Sequence, residues 1–111
     1  MSLFNFEKGR RVETDGEIIY EIELENSPLG IALAVIERSR EHFHKKMTEY
    51  YYVIEGKGNA YLNGKKLEIK KGDLLVIPPL TKHYVEKRGK EKVKILVISF
   101  PPWSPTDHYM V

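Results

Sequence analysis

Cysteine and glutamine are both missing from this chain of 111 residues. Without cysteine there is no disulfide framework and no thiolate metal site. No apolar stretch approaches the ~20 residues that a membrane-crossing helix needs. The N-terminus also lacks a signal-peptide pattern, so the expectation is a cytoplasmic protein with no membrane partner. An excess of one charge is lacking too: 18 Lys and Arg face 16 Asp and Glu, a net of +2. The two signs are interleaved, which argues against the basic stripe that nucleic-acid binding requires. The absence of glutamine beside abundant Lys and Glu is the balance thermophilic proteins show, because amides degrade when hot and ion-pair networks gain weight. Last, no segment of helical length carries a 3.6-residue period.

What is present alternates with period two, the pattern of half-buried strands. In 17–25, Ile18, Tyr20, Ile22 and Leu24 share one face, and Glu21, Glu23 and Glu25 the other. Residues 31–36 form a continuous apolar run, and 49–54 are rich in Tyr and β-branched residues. Asn63-Gly64 between 60–62 and 67–69 is a strong hairpin signal, pairing Leu62 with Lys65 and Ala60 with Leu67. Segments 74–77, 83–86 and 93–100 complete a series of short strands that reads as an all-β sandwich or barrel. The tail, 101–111, holds Pro101, Pro102 and Pro105 and is expected to be irregular.

Three of the four histidines are placed for metal chemistry. On an extended strand His42 and His44 point to one face, roughly 7 Å apart at the backbone. The polar stretch 45–48 can turn the chain and return Glu49 beside them, and His83 arrives after the Pro78-Pro79 bend. Imidazole and carboxylate donors suit Mn, Fe, Co, Ni, Cu or Zn without choosing among them.

The spacing resembles the cupin superfamily. Its first motif, His-x-His, three or four residues, Glu, six residues, Gly, reads here as His42, His44, Glu49 and Gly56. Its second motif matches at Gly72, Pro78 and His83. Departures fall at turn and framework positions: Ile36 and Leu80 stand where the family has Gly, and Lys87 where it has Asn. The resemblance implies a jelly-roll-like antiparallel β-barrel, one domain over 1–111 with its motif-bearing part at 36–87 and a C-terminal tail at 101–111. It also implies one divalent transition metal on His42, His44, Glu49 and His83. Members of the family include isomerases, epimerases, dioxygenases and proteins that only bind small ligands, so fold does not name a reaction. The expected function is a metal-dependent isomerase, epimerase or dioxygenase acting on a small oxygen-rich or sugar-like molecule. A non-catalytic ligand-binding module is the alternative.

Candidates for a pocket acid or base are Tyr51, Tyr61 and His108. For His108 the expectation is solvent exposure, with a place at the barrel mouth as the alternative. Trp103 is read as an anchor packed on the barrel. Lys45 and Lys46 are read as a solvated loop, with a role greeting an anionic substrate as the alternative. Several strands are apolar on both faces, notably 49–54 and 93–100, so an outer face needs a cover. A homodimer formed through that face is expected.

Overall fold

A computed structural model describes all residues, 1–111. Eleven strands follow in order: β1 (Arg10–Thr14), β2 (Glu17–Ile22), β3 (Gly30–Ile36), β4 (His42–Phe43), β5 (Thr48–Glu55), β6 (Lys57–Leu62), β7 (Lys65–Lys70), β8 (Leu74–Ile77), β9 (His83–Lys87), β10 (Val93–Phe100) and β11 (Tyr109–Met110). They form two antiparallel sheets, six strands in the order β1-β2-β3-β10-β5-β8 and five in the order β11-β4-β9-β6-β7. No helix is long and apolar enough to cross a membrane.

Between the sheets the alternation closes a core of Ala34, Ile36, Tyr51, Val53, Ala60, Ile69, Leu75, Ile77, Val85, Val93 and Ile95. Asn63 and Gly64 both take positive φ, 49° and 82°, the geometry of a two-residue turn whose twist matches its strands. The hairpin pairs Leu62 with Lys65 and Ala60 with Leu67, as the sequence indicates.

One expectation needs correcting, and one orientation that the period leaves open is settled by the structure. The proline-containing tail is only partly irregular: 101–104 carry no regular element, but Pro105–Asp107 is a 3-10 turn capped by the Ser104 side chain, and β11 pairs with β4. Prolines stop at the entry of the turn, where a missing N–H costs nothing. In β2 the apolar face turns away from the core. Ile22, Tyr20 and Ile18 lie opposite Ile31, Leu33 and Val35, while Glu17, Ile19 and Glu21 line the internal cavity, which Ile22 and Ile31 also reach at the strand ends.

That inversion extends an apolar surface across the outside of the six-stranded sheet. One row runs Ile22, Ile31, Ile98, Tyr50, Val76 and the next Tyr20, Leu33, Leu96, Tyr52, Leu74, in register across five strands. The outer face of the other sheet is polar by contrast. There Tyr61 stacks on Tyr84, Arg38 lies over Tyr84, and Tyr61 donates to Glu86 at 2.8 Å.

Leu80, at the position of the motif glycine, has φ +67° and is exposed. The turn therefore keeps its glycine-like path at a strain of about 1–2 kcal/mol. The backbone N–H of Leu80 donates to the His44 carbonyl at 2.6 Å, tying the second motif to the first.

Candidate metal centre

Four donors meet inside the barrel: one ligand atom each from His42, His44, Glu49 and His83, all within 4.8 Å of one another. His42 on β4 lies directly opposite His83 on β9. His44 follows β4, and the turn at Lys45–Met47 reverses the chain so that Glu49 enters from β5. His44, Glu49 and His83 are buried, and His42 is half-buried.

Hydrogen bonding fixes which nitrogen of each ring is free. Nδ1–H of His42 donates to the Arg40 carbonyl at 2.8 Å, that of His83 to Thr81 at 2.8 Å, and that of His44 to Asp107 at 2.6 Å. A carbonyl only accepts, so each Nδ1 holds the proton and each Nε2 of a neutral ring presents a lone pair. The Nε2 atoms of His44 and His83 lie 3.2 and 3.0 Å from Glu49 Oε1. Even so, these three buried atoms make no hydrogen bond of acceptable geometry. Close approach without alignment is what donors directed at a common point produce. Buried acceptors left in this state are costly, and a divalent cation satisfies them together. The donor set fits a transition metal.

Burial and then the neighbouring His83 lower the His42 pKa to about 4. For His44, burial acts downward but Glu49 and the Asp107 carbonyl outweigh it, and the net shift is upward. Burial likewise acts against the charge on Glu49, yet the close approach of His44 and His83 and their charge when protonated hold its carboxyl at about 2. Glu49 is therefore an anion ready for a cation.

These residues open onto a cavity of about 430 Å³, within the usual range for small-molecule sites. Tyr51 and His108 line it. Tyr61 does not: it stands on the outer face against Tyr84 and Glu86, because its neighbour Ala60 takes the inward position. His108 is not a solvated tail residue. Its ring stacks on His42 with centroids 4.5 Å apart, and its Nδ1 accepts from the Trp103 indole at 3.1 Å. That bond places the proton of the neutral ring on Nε2, which leaves His108 a donor and not a metal ligand. Burial, then His44, lowers its pKa and favours the neutral ring. Trp103 lines the cavity through this contact, while the Lys45 ammonium lies over the Tyr109 ring at 4.4 Å.

Glu17 escapes the sequence reading. It lines the cavity, its side chain makes no ion pair or hydrogen bond with the protein, and burial and then Glu49 push its pKa up. The only signal was its phase: by period two it shares a face with Ile19 and Glu21. A wider depression of about 720 Å³ around Asp15, Arg38 and Tyr84 contains none of the four donors.

The cupin-domain family model matches residues 32–99. The chain belongs to the cupin family. A relative in Methanocaldococcus jannaschii, an uncharacterized protein, is 39% identical over 103 residues, covering 86% of this chain and 82% of its own. Quercetin 2,3-dioxygenase of Bacillus subtilis is 30% identical over 70 residues, 63% of this cupin but only 18% of that protein. Among solved structures, the nucleoside dehydratase Pac13 of Streptomyces superposes with a TM-score of 0.87 at 22% identity, over 100% of this chain and 91% of that one. That likeness establishes the cupin barrel, and no activity.

Proposed function

We propose that this cupin holds one divalent transition metal on His42, His44, Glu49 and His83. With it the protein acts on a small oxygen-rich molecule, as an isomerase or epimerase or as a dioxygenase. One observation carries the reading: each Nδ1 is committed to a carbonyl, so the Nε2 lone pairs and the Glu49 carboxylate are left facing one another without partners. Bound there, a metal supplies Lewis acidity toward a carbonyl or hydroxyl oxygen.

The chain's own groups supply the rest. Tyr51 keeps its proton, because burial, Glu49 and Glu17 raise its pKa well above the usual value; it serves as a hydroxyl donor. Glu17, with its raised pKa and no protein partner, is suited to take or give a proton at the cavity wall. His108 offers Nε2–H. Val12, Ile19, Met47 and Trp103 give the same cavity an apolar flank, which suits a ligand with an apolar or planar portion beside its oxygens.

The test is metal analysis of protein purified without chelators, followed by assays of candidate diols, enols and sugars. Metal-dependent oxygen uptake supports the dioxygenase, and isomerised product without oxygen uptake supports the isomerase or epimerase. Tight binding with no product supports a binding module instead. A protein that takes up no metal overturns the reading.

The assembly we infer is a C2 homodimer packed through the outer face of the six-stranded sheet. Five strands by two rows make an uncharged patch of roughly 300 Å² in projection, from ordinary strand spacings. A patch of that size also occurs on monomers and is often functional; what supports an interface is its continuity in register across five strands. A second copy is the occupant that matches it: the two rows hold no charge to select a charged partner, and two equal apolar faces cover each other across a two-fold axis. Sedimentation velocity at micromolar concentration is expected to show a dimer. Tyr52→Asp, which sets a charge between Leu74 and Leu96, is expected to give monomer with metal content unchanged. A wild-type monomer at that concentration would remove the assignment.

A further inference from the structure

Asp107 lies in the tail, 58 positions beyond Glu49 (107 − 49), yet it is among the buried polar residues of the molecule. The 3-10 turn at Pro105–Asp107, capped by Ser104, turns its side chain inward. One carboxylate oxygen accepts from the Lys45 N–H at 2.8 Å, both accept from Lys46 at 3.2 Å, and the second accepts from Met47 at 3.2 Å. The backbone carbonyl of the same residue receives His44 Nδ1–H at 2.6 Å. No Lys or Arg forms an ion pair with Asp107; its charge is met by three successive amides.

Those amides form the turn between His44 and Glu49. A reversal of this length, with Met47 buried, leaves N–H groups that no strand can satisfy, and a buried orphan donor is costly. A carboxylate with two oxygens can gather three diverging N–H groups, whereas a neutral amide side chain cannot, since its NH₂ repels them. We propose that Asp107 is a positioning residue of the metal centre. Its carbonyl sets the rotation and tautomer of His44, and its carboxylate sets the path that returns Glu49 to the same point. The inference rests on the reading that these side chains hold a metal.

Asp107→Asn keeps the size and the backbone carbonyl but replaces one acceptor oxygen by a donor. Its effect is read by titrating metal-free protein with Co(II) and Ni(II) at 25 °C, well below the melting temperature of each variant. There a simple loss of fold stability leaves the dissociation constant unmoved. The expected result is a folded protein with affinity lowered about 10–100-fold, the usual effect of a group supporting a metal ligand. Altered visible absorption of bound Co(II) should report the changed placement of His44 and Glu49. Asp107→Glu, which retains both acceptors on a longer arm, should recover part of the affinity. A folded Asp107→Asn protein with wild-type affinity and Co(II) spectrum overturns the proposal. So does failure of both variants to fold without metal, because the residue would then be needed by the barrel itself. Wild-type protein that binds neither ion refutes the metal reading instead, and the two failures are told apart by that control.

Discussion

Glu49→Gln is expected to lower affinity for a divalent metal by more than the roughly 10–100-fold typical of a supporting group, because it removes the only anionic donor. Glu49 Oε1 stands 3.2 and 3.0 Å from the free nitrogens of His44 and His83. A glutamine NH₂ placed there donates to one of those nitrogens and satisfies it without metal. Metal-free Glu49→Gln should therefore melt no lower than metal-free wild type, while losing the metal-dependent rise in melting temperature that selective binding to the folded state gives. His42→Ala, His44→Ala and His83→Ala each delete one lone pair and should also lose metal. His108→Ala should retain it, since the His108 Nδ1 is occupied by Trp103 and its Nε2 carries a proton. Elemental analysis of the wild type and these five variants, purified without chelators, is the measurement. Wild-type metal content in the four donor variants would mean that the ion sits elsewhere.

The convergence of the four side chains was legible because strand periodicity and motif spacing act along the chain: His42 and His44 two apart, Glu49 after a polar turn, His83 after a bend. Their supports were only half legible. Arg40 and Thr81 hold His42 and His83 from two residues upstream, a local pattern that the sequence contains. Asp107 reaches His44 from the far end of the chain, which no local rule encodes. The inversion of β2 has a different cause. Period two says that Ile18, Tyr20 and Ile22 share a face, but not which way that face points. When an outer surface is itself apolar, the usual assumption that apolar means inward assigns Glu17 to solvent and misses it. Leu80 shows the converse: the motif position departs in residue type, and the backbone conformation is preserved at a cost in strain.

Metal affinity is expected to fall by roughly tenfold for each pH unit below the pKa of His44, one proton being exchanged for one metal. Metal and proton compete for the Nε2 lone pairs, so the imidazoles that hold a proton in the metal-free protein govern the slope. His42 does not, since burial and then His83 lower its pKa to about 4. Glu49, held at about 2, does not compete either. His44 does: Glu49 and the Asp107 carbonyl outweigh its burial and raise it. The decline should therefore begin above the free-imidazole value of about 6.5. The same two rings act with opposite sign on the metal-free fold. His42 contributes stability that is lost as pH falls from 6.5 toward 4. His44 contributes stability present below 6.5 and lost as pH rises through its raised pKa. Removing Glu49 removes the strongest of the influences raising His44, so Glu49→Gln should shift the onset of the affinity decline to lower pH as well as weaken binding. Competition titrations between pH 5.5 and 8.5 give both slopes. A wild-type affinity that is flat from pH 5.5 to 7.5 would show that no imidazole gives up a proton when metal binds, and the ion would then have to be held by other groups.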